Sequence, residues 1–261
     1  MLLRGGKEVE FTYRAYESLV KALRDHSYSF SHYHDVHYSD KTVIMRHDVD
    51  FSLDKAVQMA ELENRIGICS TYFVLLSTNF YNVLASDSYD KVKEIMAFGH
   101  EVGLHFDEQK YEVKTPEDVQ KRIMEEVYIL SNILKYDVRV ISMHRPSKKV
   151  LESDLQLNGV INSYSSDFFV RMKYLSDSRM HWRENVVDII RSNKFDRLHI
   201  LTHPFWYSSI EESMEGKLRA FLNEAIIERY DNMNANFRNL REIISREGLG
   251  SHHTHSSHVD Q

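Results

Sequence analysis

The chain has 261 residues, a length that suits one large α/β domain or two small ones. Hydrophobic residues make up 42% and charged residues 28%, which is ordinary for a globular protein and predicts a sizeable core. The formal net charge of −6, without a basic stripe, argues against a protein that binds nucleic acid.

The amino-terminal residues lack the basic segment and apolar core of a signal peptide. No run of the sequence approaches the roughly 18 apolar residues of a membrane span, so we expect no membrane insertion. The single cysteine, Cys69, cannot form an internal disulfide and suits a reducing compartment. These features together predict a cytoplasmic protein.

Short buried strands alternate with helices in the first half of the chain. Apolar residues at helical spacing predict a helix over about 13–25, with Thr12 as its N-cap. The β-branched run 42–47 predicts a buried strand, and Ser52 is a good cap for a helix that ends near Arg65. The next predicted elements are a strand over 70–76, a helix over about 88–98 and a strand over 101–105.

The alternation continues in the second half. Thr115 and Pro116, followed by two acidic residues, form a typical helix start. The later predicted elements are strands over 138–143, near 160–162, near 172–175 and over 197–203, and a long helix within about 214–246. Such alternation predicts parallel βαβ units, so the fold class is α/β, either a barrel or an open doubly wound sheet.

No Pro-, Gly- or Ser-rich linker interrupts the chain before residue 247. We therefore expect one domain over residues 1–247. Residues 248–261 are rich in histidine and have almost no apolar side chains, so we expect them to form a flexible tail.

Ionisable residues collect at four predicted strand ends, where a parallel sheet places its functional side chains. A single histidine at such a position is more often a structural residue than a ligand, but four converging segments favour a chemical site. The segments are Arg-His-Asp-Val-Asp at 46–50, Gly-His-Glu-Val-Gly-Leu-His at 99–105, His-Arg-Pro at 144–146 and Leu-Thr-His-Pro at 201–204.

At these segments the chain resembles the polysaccharide deacetylase family, and most closely a subgroup with a His-Asp-Val-Asp first motif. The resemblance covers about residues 40–245. It implies a single irregular (β/α) barrel and an amide hydrolase that depends on a divalent metal, with zinc the expected ion.

The first motif of the family carries two aspartates, and the resemblance assigns the general base to Asp48 and a metal-binding carboxylate to Asp50. Residues two apart on an extended segment point to the same side, so both carboxylates can face one cavity. The alternative is that this Asp-x-Asp only caps the following helix.

The second motif implies that His105 is a metal ligand. The family has another histidine four residues later, but this chain has Gln109, a much poorer ligand for a transition metal. The third ligand could be His144, Asp107 or water, and we favour His144.

The third motif pairs an arginine with a proline, which implies that Arg145 orients Asp48 through a charge-assisted hydrogen bond. A surface salt bridge is the alternative. The last motif, Leu-x-His, implies that His203 is the general acid for the departing amine. A core histidine is the alternative there.

Three further residues, Asp167, Asp177 and Trp206, lie in polar and aromatic segments that could line a substrate pocket, where aromatic rings could stack on a sugar. The expected reaction is N-deacetylation of an amino-sugar intermediate in surface polysaccharide biosynthesis, on a nucleotide-linked or lipid-linked sugar or another carbohydrate. The alternatives are a non-catalytic carbohydrate-binding protein on the same fold, and a metal-dependent hydrolase of another C–N bond.

Overall fold

The computed structural model describes residues 9–36 and 41–249. The chain divides into two compact units, Met1–Ile210 and Glu211–Gln261. The single domain that the sequence predicts over residues 1–247 stays a prediction. In the second unit, the long helix over Met214–Asn234 buries Lys217 and Tyr230. Most of the expected tail, residues 250–261, lies outside the described residues.

Within the described residues, eight strands form one sheet in which every pairing is parallel. The main path runs β6-β5-β4-β3-β2-β8-β7, and β1 pairs with β2. The strands are β1 (Ser29–Phe30), β2 (Thr42–Val49), β3 (Thr71–Val74), β4 (Glu101–Asp107), β5 (Val140–His144), β6 (Ile161–Asn162), β7 (Lys173–Ser176) and β8 (Arg197–Thr202).

The sheet is curled into an incomplete barrel. Arg46 on β2 reaches Ser163 at the end of β6, with 3.0 Å between Nη1 and Oγ, although three strands separate β2 from β6. A flat sheet would hold these strands well apart, because neighbouring strands lie about 4.8 Å from each other. The irregular α/β barrel expected from the sequence is therefore confirmed.

Helices follow most of the strands. They are α1 (Tyr13–Asp25), α2 (Leu53–Arg65), α3 (Ser86–Ala97), α4 (Pro116–Leu134), α5 (Lys148–Glu152), α6 (Ser166–Phe169) and α7 (Val186–Ser192) in the first unit, and α8 (Met214–Asn234) and α9 (Leu240–Ile243) in the second. Thr12 and Thr115 cap α1 and α4 as predicted, and Thr115 forms a capping box with Asp118. The short elements β1, α5, α6 and α7 were not predicted, because they span too few residues for a periodic pattern. No helix of the described chain has both the length and the apolar character that a membrane span requires.

Strand β2 is buried along its whole length, and its two faces differ. Ile44 faces the barrel interior, where it belongs to an apolar cluster with Phe73 and Val140. Residues two and four positions further along, Arg46 and Asp48, share this face. The interior thus changes from apolar to ionic toward the carboxyl end of the strand.

The opposite face of β2 carries a buried polar network around Glu63 of α2. The carboxylate of Glu63 accepts a hydrogen bond from the Tyr72 hydroxyl at 2.7 Å and from the Ser70 hydroxyl at 2.5 Å. His47 joins Glu63, at 2.9 Å from Nε2, to the hydroxyl of Thr202 on β8, at 2.7 Å from Nδ1. The network therefore ties β2, which carries Asp48, to β8, which ends just before His203.

Candidate active site

Three predicted metal ligands come together at the carboxyl ends of β2, β4 and β5. The Asp50 Oδ1 atom lies 3.1 Å from His105 Nε2 and 3.2 Å from His144 Nδ1. The two imidazole nitrogens lie 3.1 Å from each other. The three donor atoms therefore form a nearly equilateral triangle.

This triangle fits a transition metal. Donor atoms held tetrahedrally at about 2.0–2.1 Å from one ion lie about 3.4 Å apart, close to the separations found here. Two imidazoles and a carboxylate are also a typical donor set for catalytic zinc, in which a fourth position stays open. Among the described residues, Asp50, His105 and His144 form the one group of three metal-type side chains whose donor atoms are this close.

The position where the family motif has a second histidine does not join the triangle. Gln109 is exposed, on a short 3-10 helix over Glu108–Lys110, and its backbone N–H donates to the carboxylate of Asp107 at 3.1 Å. His144, from the next strand, occupies the third corner instead. The third corner of the triangle therefore comes from a neighbouring strand end and not from the position that the family motif indicates.

Asp48, the predicted general base, is held by Arg46. The Nη2 atom of Arg46 donates to both carboxylate oxygens of Asp48, at 3.0 and 2.8 Å, and Nε donates to one of them at 3.2 Å. Both side chains are almost fully buried. Burial alone would raise the pKa of Asp48, but Arg46, and after it His105 and His203, lower it below its ordinary value.

The prediction that Arg145 orients Asp48 is wrong. Arg145 adopts a left-handed backbone conformation just after β5, with φ of 52°, and its guanidinium donates to Asp107 at 2.5 Å. Asp107 lies opposite His144 on the adjacent strand β4, so it is within easy reach of Arg145. Asp48 lies on β2, two strands away from β4, and is already paired with Arg46. Arg46 could have been found from the sequence, because its spacing from Asp48 places both on one face of the strand.

His203, the predicted general acid, is fixed by Asp177. The carboxylate of Asp177 accepts from the His203 ring at Nδ1, at 2.6 Å, and from the His203 backbone N–H at 3.1 Å. The free end of the ring, Nε2, lies 3.8 Å from Asp50 Oδ2. Burial lowers the pKa of His203, but Asp177, and then Asp50 and Asp48, raise it to about 9.

The residues expected to line a substrate pocket have other surroundings. Asp177 is fully buried against His203, and its second oxygen accepts from the Tyr207 hydroxyl at 3.2 Å, so its role is to orient the histidine. Asp167 forms an exposed ion pair with Arg171 at 2.9 Å. Trp206 is 7% exposed and packs on Phe205, which leaves little indole surface for a ligand.

Two aromatic residues that were not predicted, Phe51 and Phe80, form a group with Phe205 close in the chain to the candidate site residues. Phe51 directly follows Asp50, and its ring centroid is 4.9 Å from that of Phe205 and 5.0 Å from that of Phe80. Phe80 is 50% exposed. The signal for this group in the sequence is that Phe51 directly follows Asp50 and that Phe205 follows His203 by two residues.

No protein-family model matches the chain, and no curated protein matches it. Solved structures do match. The first is a CE4 family pseudoenzyme, BA3943, from Bacillus anthracis, with 14% identity over 72% of this chain and a TM-score of 0.43. The chain spans 63% of the length of that pseudoenzyme.

The matching structures also include deacetylases. The deacetylase PplD from Streptococcus pyogenes has 11% identity, covers 77% of this chain and 87% of its own, and gives a TM-score of 0.45. The chitin deacetylase from Colletotrichum lindemuthianum has 15% identity, covers 71% of this chain and 82% of its own, and gives a TM-score of 0.41. The chain is therefore similar to solved deacetylases. Identities and TM-scores this low do not show a function, so the function has to be argued from the side chains of the site.

Proposed function

We propose that this protein is a metal-dependent N-deacetylase of an amino sugar. The observation that carries the proposal is the triangle of Asp50, His105 and His144, with Asp48 3.8 Å from His105 and His203 3.8 Å from Asp50. A divalent cation held there, for which we propose zinc, supplies Lewis acidity toward an amide carbonyl and an attacking water.

Asp48 is placed to act as the base. Its Oδ2 atom lies 3.8 Å from His105 Nε2, so the carboxylate borders the ligand triangle. Because Arg46 keeps it ionised, Asp48 can accept a proton from a water molecule that attacks the amide carbon. Arg46 also fixes the direction of the carboxylate, which general base catalysis requires.

His203 is placed to act as the acid. Asp177 binds Nδ1 and so leaves Nε2 to face the site, 3.8 Å from Asp50 Oδ2. The neighbouring carboxylates favour the protonated imidazolium, which can donate a proton from Nε2 to the departing nitrogen. Asp48 therefore borders the triangle at His105 and His203 borders it at Asp50, so a base and an acid both lie next to it.

The motif resemblance supports a substrate with an N-acetyl group on a sugar, and we propose an intermediate of surface polysaccharide assembly. Phe51, Phe80 and Phe205 beside the ligands would suit the apolar face of a sugar ring. A lipid-linked glycan fits this proposal as well as a free carbohydrate does.

Acetate release tests the proposal directly. Purified protein is stripped with a chelator, reloaded with zinc and incubated with N-acetylglucosamine and with its β-1,4-linked trimer. We expect acetate release that depends on zinc and falls by about 10²–10⁴-fold in His203→Gln, the usual effect of losing a positioned acid. The exposed histidine variant His181→Gln is the matched control and should keep its activity.

Zinc-loaded protein that releases no acetate from either sugar would contradict the proposal. Equal loss of activity in both histidine variants would remove the acid role from His203.

A further inference from the structure

The surface of α8 carries a row of exposed apolar side chains. Leu218, Leu222 and Ile226 follow one another at intervals of four residues, so they lie on one side of the helix, and all three are exposed. Leu222, in the middle, is 62% exposed. Met214 and Met233, which are also exposed, extend the row toward the two ends of α8. We call these five residues the Leu222 stripe.

A helix seldom leaves such a row of apolar side chains in water. Most of the stability of a helix in a protein comes from packing its apolar side onto another element. The buried side chains of α8 are Lys217 and Tyr230, and neither of them belongs to the stripe. An exposed apolar patch of this kind is typical of an interaction surface.

The segment that follows α8 packs elsewhere on the helix. Arg246 forms an ion pair with Asp231, in which two nitrogens each lie 2.9 Å from a carboxylate oxygen. Asp231 comes nine residues after Leu222, which is about two and a half turns of an α-helix, so it lies on the side opposite Leu222. This contact therefore leaves the middle of the stripe uncovered.

Two charges of opposite sign stand at equal distances from Leu222. Glu215 comes seven residues before it and Arg229 seven residues after it, and both are exposed. Seven residues are about two full turns, so both charges lie on the same side of α8 as Leu222. Glu215 contacts Arg219 of its own helix at 2.7 Å, but both side chains are exposed, so this ion pair is weak and can exchange.

This pattern is complementary to itself when two copies of α8 pair in opposite directions. With Leu222 on a two-fold axis, Leu218 of one copy lies opposite Ile226 of the other, and Glu215 lies opposite Arg229 at both ends of the stripe. Parallel pairing would instead place Glu215 against Glu215 and Arg229 against Arg229. The charges therefore favour the antiparallel arrangement.

We infer that two copies of this chain pair through the Leu222 stripe, with their α8 helices antiparallel and Leu222 at the centre. Other kinds of partner fit less well. A helix that binds a membrane surface carries basic residues beside its apolar side, whereas this stripe has Glu215 at one end. An unrelated protein would need no symmetry about Leu222, but a two-fold interface does, because each contact across it occurs twice.

Charge reversal on the full-length chain tests the inference, with the mass of the particle measured by sedimentation equilibrium. Wild type should have twice the chain mass at about 100 µM, as for a dissociation constant in the micromolar range. Glu215→Arg places like charges at both ends and should weaken dimer formation about tenfold, and Arg229→Glu should do the same. The double variant, with both changes, restores opposite signs and should form dimers as wild type does.

A mixture of the two single variants tests the direction of pairing. Glu215→Arg has two positive ends and Arg229→Glu has two negative ends, so a mixed dimer should form more tightly than the dimer of either variant alone. In parallel pairing, each single reversal would leave like charges opposed, as they already are in wild type, so neither would weaken the dimer.

Leu222→Glu tests the centre of the stripe, because it places two carboxylates at the two-fold axis, and this variant should be monomeric. Ala220→Glu and Glu224→Arg are matched controls on the same helix. Each lies two residues from Leu222, or about 200° around the helix, and both positions are exposed. Both controls should form dimers as wild type does, and circular dichroism checks that every variant is folded.

Monomeric wild type at about 100 µM would overturn the inference and assign the stripe to another partner. A dimer that Leu222→Glu leaves intact would overturn it as well, because pairing would then use another surface. Single charge reversals without effect, or a double variant as weak as the single ones, would exclude the antiparallel arrangement.

Discussion

Arg46 and Asp48, two residues apart on β2, form a bidentate ion pair inside the curled sheet. The guanidinium of Arg46 also donates to the hydroxyls of Ser142 and Ser163, at 2.5 and 3.0 Å, so it is held from three strand ends. Its carbon Cζ lies 5.2 Å from the ring centroid of Phe73, which adds a cation–π contact. A carboxylate held this firmly has one orientation toward the triangle of Asp50, His105 and His144.

A double-mutant cycle tests this relationship. Arg46→Met alone leaves a buried, uncompensated carboxylate and should lower the free energy of unfolding by about 3–5 kcal/mol. Arg46→Met combined with Asp48→Leu removes both charges and should recover most of that loss, as measured by urea unfolding. A double variant that is as unstable as the sum of the two single variants would show that the two residues are not coupled.

The Asp48→Asn variant tests whether Asp48 is a general base or a metal ligand. Asparagine keeps the volume and one acceptor for Arg46 but cannot take up a proton, so acetate release should fall by about 10²–10⁴-fold while bound zinc stays stoichiometric. Elemental analysis and acetate assays on the same preparation measure both quantities. If the variant loses its zinc, Asp48 is a ligand and exchanges roles with Asp50.

Removal of any one corner of the triangle should release the metal. Asp50→Ala, His105→Ala and His144→Ala should each lose stoichiometric zinc after dialysis, because two remaining ligands hold an ion weakly. Gln109→Ala is the control, since this side chain is exposed outside the triangle, and it should retain zinc. Zinc retained by His144→Ala but lost by Gln109→Ala would return the third ligand to the position that the family motif indicates.

Glu63 should contribute an acid-dependent part of the stability. Burial raises the pKa of Glu63, but His47, and to a smaller degree His100 and Ser70, lower it from 4.5 to about 2. A carboxylate with a lowered pKa stabilises the fold fully above pH 4.5, and this contribution is lost as the pH falls toward 2. The loss is on the order of 3 kcal/mol over that range. In Glu63→Gln, the free energy of unfolding should be lower at neutral pH and should depend less on pH between 4.5 and 2, as measured by urea unfolding at each pH. Parallel pH curves for the two proteins would exclude this role for Glu63.

Much of the fold could be read from the sequence, because its signals are local. The helix over Leu53–Arg65 begins after the predicted cap Ser52 and ends at the predicted residue. Strand β2 is buried on both faces, as the continuous run of apolar residues at its beginning predicts. The sequence also predicted that Asp48 and Asp50 face the same side of the chain. Residues two apart on an extended segment point the same way, because the pleat of a strand determines the direction of each side chain.

The tertiary structure alone decided which side chains meet across the sheet. The sequence could not show that Arg145 turns toward Asp107, because that depends on the left-handed backbone at the end of β5 and on the pairing of β5 with β4. Nor could it show that Asp177 binds His203, because this contact requires β7 and β8 to be neighbours in the sheet. The spacing of residues along one strand determines the direction in which their side chains point. Contacts between strands depend instead on register, curvature and strand order, and no single segment of the sequence encodes these.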